Sequence, residues 1–288
     1  MRKRGHFGCG LGVLLCIGCG DEVPRSCDPD LVGCGLATVA GATYAMGLRG
    51  EVPSVRVDGF RVDRYEVTVA RFRRFVEAGR PSVPGGNVAY PAGALAWAGR
   101  TDGYWDATTA SGCNWTAQAG AREAYAMNCV DWSTAQAFCV WDGGRLPTEA
   151  EWELAARGPQ GRQFPWGTPA TTNLVDAPPL CGADRPTPGG CVVNDPTHAG
   201  SRTPEGVWHL ADNVSEWTAD LRQELSDPRC WGSAPRANPL CRTVDADSIT
   251  HVIRGGSFEV LGGSSLVFRR DGQVDRIPQP DVGFRCAR

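Results

Sequence analysis

Closely spaced metal-binding pairs are missing from most of this sequence. The ten cysteines after Cys19 include no Cys-x-x-Cys pair, and the four histidines include no His-x-x-x-His pair. Structural zinc sites commonly use such spacings, because neighbouring ligands must reach one small tetrahedral ion. The sequence therefore argues against a zinc-thiolate site.

An excess of charge of one sign is also missing, and so is a long apolar run. The 29 basic and 32 acidic residues are interspersed and leave a formal net charge of −3. Nucleic-acid binding is not expected, because it depends on a basic patch or stripe. The apolar stretch at residues 7–18 is too short to span a bilayer as a helix.

Glycine and proline, by contrast, are plentiful. The 37 glycines and 21 prolines predict many turns and few long elements. With 42% hydrophobic residues, a chain of 288 residues can still bury a core of ordinary size. We find no internal repeat and expect a single folded domain.

The first residues have the form of an export signal. Basic residues 2–4 precede the apolar stretch at residues 7–18, and a polar segment follows abruptly. This order is typical of secretory signal peptides, which are removed from the mature protein. We expect a signal peptide at residues 1–18.

The end of this leader resembles the lipobox of bacterial lipoproteins. In its sequence LCIGC, Cys19 would carry the lipid, although Cys16 stands where a lipobox normally has leucine. We expect a lipid-anchored tether at residues 19–37 and the folded domain at residues 38–288. The expected location is the cell envelope, on a membrane and facing the periplasm or the exterior; without lipid the protein would be secreted.

An even number of cysteines remains beyond the leader and the lipidation site. They are Cys27, Cys34, Cys113, Cys129, Cys139, Cys181, Cys191, Cys230, Cys241 and Cys286. In an exported chain, this density predicts a disulfide framework. Cys27 and Cys34 are candidates for closing a small loop within the tether.

Capping signals predict three short helices. Thr68 is expected to begin the first helix, Ser133 with Gln136 the second, and Thr148 with Glu151 the third. In the last two pairs, the side chains can satisfy backbone N–H groups that have no partner inside the helix. Apolar and polar residues alternate from 55 to 62, which predicts strands. Short helices, short strands and many turns indicate an α+β domain.

Several segments follow one another in an order that is characteristic of one family. The most specific are RLPTEAEWE at residues 145–153, NVSEW at 213–217 and RGGSF at 254–258, and VGFRCAR ends the chain. With these segments, the domain resembles the sulfatase-modifying-factor family of formylglycine-generating enzymes. The resemblance implies a C-type-lectin-like, formylglycine-generating-enzyme fold of the α+β class, rich in loops and stapled by disulfides.

The resemblance also bears on the disulfide pairing. Cysteines at the positions of Cys139 and Cys286 are linked in some family members, and we expect the same bond here. Short-range pairs are the simplest choice for the others, because each pair flanks a loop-like insertion. These pairs are Cys113 with Cys129, Cys181 with Cys191, and Cys230 with Cys241.

Enzymes of the family hold copper with two cysteines that follow the RGGS motif. Counted from Ser257, Val260 and Ser265 stand where those cysteines would be. Neither side chain binds Cu(I), which prefers soft sulfur ligands. Copper is therefore not expected, and copper-dependent oxidation is an unlikely activity for this chain.

Other metal ions of the family are iron and calcium. Iron is not expected, because His198, His209 and His251 are far apart in sequence and the chain has no additional helical domain. For calcium, the resemblance implies a site at Glu216 with the backbone carbonyls of three further residues. Those residues are Ala211, Asp212 and Val214. Calcium prefers oxygen ligands, but a hydrogen-bond network without an ion is the alternative.

A second calcium site of the family maps onto Asn173 and the carbonyl of Leu174, with Asn194 or Asp195 as candidate partners. We also expect Arg254, Arg269, Arg270 and Glu259 to be surface charges rather than the lining of a cleft. Three tryptophans in Gly- and Ser-rich loops could stack on a sugar. They are Trp105, Trp115 and Trp231.

The sequence thus favours an exported domain that binds or assembles without oxidising, with a cell-envelope protein, a peptide or a glycan as its partner. An oxidase that converts a sulfatase cysteine to formylglycine is one alternative. A glycan-binding module of the lectin type is the other, and chelation of calcium would abolish its binding.

Overall fold

A computed structural model of the protein describes most of the chain. The described residues are 23–28, 30–79, 84–91, 95–99, 111–167, 180–181, 189–232, 236–243, 250–259, 270–274 and 277–288. Within them the chain forms three α-helices and eleven strands, and long irregular segments connect these elements. The α+β class and the short elements expected from the sequence are confirmed.

The three helices are short, and a side chain caps the first turn of each. They are α1 (Val69–Glu77), α2 (Trp132–Trp141) and α3 (Glu149–Arg157), and a 3-10 helix spans Pro196–Ser201. Thr68 caps α1 by accepting from the backbone N–H of Arg71. Thr148 and Glu151 form the expected capping box at α3, and both bonds of the box are present.

The N-terminus of α2 differs from the prediction. The capping residue is Asp131, whose carboxylate accepts the backbone N–H of Thr134 at 2.7 Å. The helix begins at Trp132, so Ser133 lies inside the first turn rather than before it. Asp131 precedes Ser133 by two residues, and its carboxylate is a strong cap in this position.

The strands form three sheets and one hairpin. Their bounds are β1 Leu36–Val39, β2 Ala42–Met46, β3 Val52–Val57, β4 Phe60–Asp63, β5 Pro84–Val88, β6 Leu95–Gly99, β7 Ser215–Leu221, β8 Arg236–Ala237, β9 Thr250–Arg254, β10 Arg270–Val274 and β11 Val282–Gly283. The largest sheet has the order β10-β9-β7-β11, and a second has the order β2-β3-β8. β1 pairs with β4, and β5 pairs with β6.

Two apolar clusters hold these elements together. In the first, Phe72 of α1 stacks on Phe138 of α2 with ring centroids 5.7 Å apart, and Phe284 meets the edge of Phe138 at 5.5 Å. In the second, Trp152 of α3 packs among the buried residues of β2 and β3, including Met46. Four tryptophans are buried in these two clusters: Trp132, Trp141, Trp152 and Trp217.

Five disulfides cross-link the described chain. They are Cys27–Cys34, Cys113–Cys129, Cys139–Cys286, Cys181–Cys191 and Cys230–Cys241. These are the pairs that the sequence analysis expected. Cys139–Cys286 closes the longest separation, 147 residues, and joins α2 to the C-terminal segment.

The segment before β1 packs on the domain. Ser26 is fully buried, its backbone N–H donates to Asp142 at 2.6 Å, and its hydroxyl accepts from Arg71 at 2.9 Å. β1 itself begins at Leu36, two residues before the expected boundary of the domain. The described part of the expected tether at residues 19–37 is thus a docked segment, because buried polar contacts hold it.

In the part of the chain that the structure describes, no helix has the length and apolar character needed to cross a membrane.

Candidate functional site

Arg254, at the end of β9, fixes the start of the RGGSF segment. Its Nη1 donates to Oε1 of Glu149 at 3.1 Å, and its Nη2 donates to Oε2 of Glu153 at 2.6 Å. The guanidinium also lies 5.2 Å from the ring centroid of Trp152. All of these side chains are buried. The expectation that Arg254 is a surface charge is therefore wrong.

A second arginine and an acid extend this network. Arg270 of β10 donates to both carboxylate oxygens of Glu149, at 2.5 and 3.0 Å, and its side chain is only 9% exposed. It too is not a surface charge. Asp220 accepts the backbone N–H groups of Glu149 and Cys241 at 2.6 and 2.7 Å. Burial, and then the charge of Glu149, raises the pKa of Asp220 to about 7.

The residues after Arg254 turn sharply. Gly255 has a φ of 86°, and a Cβ there would lie 3.0 Å from the carbonyl oxygen of Leu210, so this position requires glycine. Ser257 is fully buried, and its hydroxyl donates to Oδ2 of Asp281 at 3.1 Å. Ser257 therefore does not present a free hydroxyl to solvent.

The end of the segment is partly buried and partly exposed. The backbone N–H of Phe258 donates to the carbonyl oxygen of Asn213 at 2.8 Å, and the ring packs in a third apolar cluster with Cys181 and Val214. Glu259 next to it is exposed. Its pKa is raised, by partial desolvation first and by the charge of Asp281 second.

Asp281 contacts Ser257, Gly190 lies against Phe258, and the loop at residues 111–115 packs on Pro280, so three loops adjoin one another here. Two disulfides brace them. We call the loops at residues 111–115, 189–193 and 279–281 the braced rim. The amide of Asn128 donates to the carbonyls of Gly112 and Pro280 at 2.7 and 2.5 Å. The amide of Asn114 donates to the carbonyl of Gly189 at 2.6 Å. Asn114 thus joins the first loop to the second, and Asn128 joins the first loop to the third.

The cysteines of the rim form part of this bracing. Cys113–Cys129 closes the first loop, and Cys181–Cys191 closes the second. The backbone N–H of Cys191 donates to Oδ1 of Asn213 at 2.9 Å, which ties the second loop to the NVSEW segment. No local sequence pattern marks Asn114, Asn128 or Asp281 as a site residue, because their bonds link distant positions.

The residues that stand in place of the copper cysteines, Val260 and Ser265, lie outside the described residues, as does Arg269. The described residues nevertheless include every cysteine that follows Cys19. All ten that follow Cys19 form disulfides. The lipidation candidate Cys19 itself lies outside the described residues.

The residues of the expected calcium site come together, but their carboxylates have other partners. Glu216 accepts from Arg285 and from Nε1 of Trp152, and it is fully buried. Asp212 accepts the backbone N–H of Cys181 at 2.7 Å and lies 2.9 Å from Nδ1 of His209. Calcium needs six to eight oxygen ligands. This donor-rich arrangement does not fit it.

Ala211 and Val214 of the same expected site are buried as well. The second expected calcium site, at Asn173 and Leu174, lies outside the described residues, whereas its candidate partners Asn194 and Asp195 are described. Asp195 accepts from Thr197, at the start of the 3-10 helix. Binding of calcium at the second site stays a prediction.

Two buried titratable groups lie beside this site. Glu66 was not predicted from the sequence, and His209 was considered only as an iron ligand. Burial raises the pKa of Glu66 to about 7, although the charges of His209 and Arg285 act against it. Burial alone would lower the pKa of His209, but Asp212 and Glu66 raise it to about 9. Glu66 lies in a short strand-to-helix segment, and no local sequence signal marks it as buried.

The other histidines have ordinary structural surroundings. The ring of His251 stacks on Trp132, with centroids 3.8 Å apart and an angle of 9° between the planes. His198 lies 3.8 Å from a carboxylate oxygen of Asp195 and 6.3 Å, between centroids, from His209. No group of three metal-binding side chains among the described residues includes a histidine.

One such group without histidine does occur, at Asp63, Asp142 and Cys286. It is not a metal site. Cys286 is disulfide-bonded to Cys139, so it offers no thiolate. Arg71 and Arg288 each bridge the two carboxylates, at distances between 2.6 and 3.0 Å. The two acids are thus neutralised by two arginines.

The three tryptophans proposed to stack on a sugar differ in their exposure. Trp231 is 1% exposed, so it cannot stack on a sugar. Trp115 is partly buried, and the guanidinium of Arg73 covers its ring at 4.4 Å from the centroid. Trp105 lies outside the described residues. Trp231 is therefore excluded from sugar stacking, and one face of Trp115 is taken by Arg73.

Comparison with known families identifies the domain. The model of the sulfatase-modifying factor enzyme 1-like domain matches residues 31–288. The chain belongs to this family. Its match begins seven residues before the expected boundary at residue 38, in agreement with the docked segment before β1.

Individual relatives agree with the family. A formylglycine-generating enzyme of Thermomonospora curvata is 28% identical, and the match covers 92% of this chain and 97% of that protein. An inactive C-alpha-formylglycine-generating enzyme 2 of Bos taurus is 34% identical over 55% of this chain and 48% of that protein. The solved structure of PvdO from Pseudomonas aeruginosa, 20% identical, has the same fold, with a TM-score of 0.59 over 92% of this chain and 97% of that one.

Proposed function

We propose that this chain is an exported family member that binds a protein or peptide of the cell envelope and does not oxidise it. The cysteines carry the proposal. All ten that follow Cys19 are paired in disulfides, and Val260 and Ser265 replace the pair expected after the RGGS motif. Copper(I) chemistry needs soft thiolate ligands, and none remains for it in the domain.

The braced rim supports a binding role. Two disulfides and the amides of Asn114 and Asn128 fix loops that would otherwise be free to move. A surface that is ordered before it binds loses less conformational entropy on binding. The family also contains relatives that are described as inactive, such as that of Bos taurus.

Attachment to a membrane is part of the proposal. If Cys19 carries the lipid, only four residues separate it from Pro24, which is buried against the domain. The five Cα–Cα steps from Cys19 to Pro24 span at most about 17 Å when fully extended. The domain would therefore remain close to the lipid surface, and its partners would be proteins of the same envelope.

The oxidase is the main alternative, and copper loading separates the two. The exported, oxidised protein would be loaded with Cu(I), and copper would be measured after desalting. A peptide with the sequence Cys-x-Pro-x-Arg would then be incubated with it under oxygen and examined by mass spectrometry for formylglycine. We expect no bound copper and an unchanged cysteine. Stoichiometric copper with aldehyde formation would overturn the proposal.

Site-specific crosslinking tests the binding surface itself. A photo-crosslinking amino acid would replace Glu259, which is exposed beside Ser257, and in a second variant Leu48, which is 53% exposed in the turn between β2 and β3. In intact cells we expect one or a few defined protein adducts from position 259 and none from position 48. Equal patterns from both positions would argue against a binding surface at Glu259 and the neighbouring braced rim.

The lectin alternative makes a different prediction. It requires glycan binding that a chelator abolishes, and a glycan array probed with and without EDTA would detect it. The burial of Trp231, and the guanidinium of Arg73 on one face of Trp115, do not favour this alternative.

A further inference from the structure

Five buried side chains surround the segment for which the family resemblance implied calcium. Glu66, His209, Asp212, Glu216 and Arg285 are each at most 1% exposed, and we call them the Glu216 cluster. A buried charge is tolerated only when it is paired and hydrogen-bonded. How the cluster balances its own charges therefore decides whether an ion is needed.

Every N–H donor of the Arg285 side chain has an acceptor, either in the cluster or on the backbone beside it. An arginine side chain has five N–H donors, and here each of the three nitrogens is engaged. Nε and Nη2 donate to Glu216 at 2.7 and 2.5 Å. Nη1 donates to the carbonyls of Asp63 and Arg64 at 3.0 and 3.2 Å, and Nη2 also donates to the carbonyl of Trp208 at 2.8 Å.

Glu216 is occupied to a similar degree. Its Oε2 accepts from Nε of Arg285 and from Nε1 of Trp152, the latter at 2.9 Å, and its Oε1 accepts from Nη2 of Arg285. A bidentate arginine–carboxylate contact is among the strongest hydrogen-bonded pairs in proteins. A calcium ion on this carboxylate would have to displace Arg285, whose charge would then lie buried beside the ion.

The other two acids of the cluster also face protein groups, and Oε2 of Glu66, which accepts no hydrogen bond, lies 4.0 Å from Nη2 of Arg285. His209 faces Asp212 through Nδ1 at 2.9 Å, and the amide of Asn213 donates to Glu66 at 3.0 Å. His209 and Asn213 also have positive φ angles of 60° and 62°. Such conformations persist only where surrounding contacts impose them, and here protein groups supply those contacts.

We infer that the Arg285 guanidinium takes the place of a divalent cation at Glu216, so that residues 209–217 keep their conformation without calcium. The inference concerns the internal architecture of the domain, and it holds whether the domain binds a partner or oxidises a substrate. It assigns Arg285 the role of a buried counter-ion that joins the C-terminal segment to α3 through Glu216 and Trp152.

Thermal unfolding with and without calcium tests the inference. The exported, oxidised protein and its Glu216→Gln variant would each be melted in EDTA and in millimolar calcium chloride. We expect Glu216→Gln to lower the Tm by several degrees and by the same amount in both solutions, because it removes the counter-charge of Arg285 in either case. Glu205→Gln, which removes a partner of Arg162 whose side chain is 28% exposed, controls for the loss of one carboxylate.

Stabilisation by calcium through Glu216 is the opposite outcome. If an ion binds Glu216, calcium raises the Tm of the unaltered protein by several degrees, and Glu216→Gln abolishes that rise. This result would overturn the inference. A rise that Glu216→Gln retains would support it, since the ion would then lie elsewhere, for example at the second expected site.

A luminescence measurement covers the case in which Glu216→Gln does not fold. Terbium ions replace calcium, and an excited tryptophan nearby makes them emit. An ion on Glu216 would lie beside Trp152, whose Nε1 donates to that carboxylate. We expect no saturable terbium emission that depends on Trp152. Emission that calcium suppresses and that Trp152→Phe loses would contradict the inference.

Discussion

Arg254 donates from Nη2 to Oε2 of Glu153 at 2.6 Å, and both side chains are fully buried. Arg254 ends β9, whereas Glu153 lies in α3, 101 residues earlier in the chain. Because Nη1 also reaches Glu149, one guanidinium ties α3 to the largest sheet. The segment that carries Ser257 starts directly after Arg254, so its position depends on this contact.

Removal of this guanidinium should be costly. We expect Arg254→Met to lower the free energy of unfolding by about 3–5 kcal/mol, because it leaves two buried carboxylates without this cation. Denaturation in guanidinium chloride, followed by tryptophan fluorescence, measures the change. Arg56→Met is the control, since the side chains of Arg56 and Asp58 are 56% and 51% exposed. We expect less than about 1 kcal/mol there, and equal losses would contradict the argument.

The disulfides should contribute according to the length of chain that they close. Cys139–Cys286 spans 147 residues and Cys27–Cys34 spans 7. In the chain-entropy model, these separations correspond to about 5 and about 2 kcal/mol. We therefore expect the double serine variant at Cys139 and Cys286 to lose more stability than that at Cys27 and Cys34. The midpoints of guanidinium chloride unfolding compare them, and a reversed order would contradict the prediction.

Local sequence signals predicted the helices well where only one capping residue was available. Thr68 and Thr148 cap α1 and α3 as expected, because the bonds involved lie within four residues. At α2, Asp131 and Ser133 are both suitable caps, and the sequence pattern alone does not choose between them. The wrong choice moved the predicted start of α2 by two residues.

Contacts between residues far apart in the sequence could not be predicted from local patterns. Arg254 and Arg270 were predicted on the surface, since a lone arginine in a turn-rich segment usually is. Their partner Glu149 is more than 100 residues away, so no local pattern shows the pairing. The site motifs and the Cys139–Cys286 bond could be predicted only because they resemble a family.

Asp220 predicts a pH dependence of stability. Its pKa, raised to about 7 in the fold, exceeds its unfolded value of 3.8. Between these values the folded protein binds more protons than the unfolded chain, so this group's contribution to stability falls as the pH rises from about 4 to about 7. The fall is on the order of 3 kcal/mol.

The variant Asp220→Asn isolates this effect. It does not titrate, so we expect the difference in unfolding free energy between it and the unaltered protein to shrink as the pH rises from 4 to 7. At low pH the variant should be the less stable of the two. The backbone N–H groups of Glu149 and Cys241 donate to the two carboxyl oxygens of Asp220, and the amide of asparagine has only one oxygen to accept them. Urea titrations across this pH range measure it. A difference independent of pH would contradict the shifted pKa.

Gly190 of the braced rim is expected to tolerate no side chain. It has a φ of 77°, and a Cβ there would lie 2.2 Å from Oδ1 of Asn213. Gly143 has a similar φ of 85° with nothing within 4 Å, which makes it a matched control. We expect Gly190→Ala to cost about 2–3 kcal/mol and Gly143→Ala about 1 kcal/mol. Similar midpoints of unfolding for the two variants would show that the contact with Asn213 is relaxed at little cost.

The non-oxidising function rests on missing thiolates, so restoring them is the last test. We expect the double variant Val260→Cys, Ser265→Cys to retain Cu(I) after desalting, because two thiolates suit this soft ion. The unaltered protein should retain none, since its ten domain cysteines are paired. Thiol titration before loading checks that the new cysteines are free, and the two single variants, with one thiolate each, should hold copper far more weakly. Equal copper in the unaltered protein and the double variant would mean that the domain binds the ion through other ligands, and the case against oxidation would then fail.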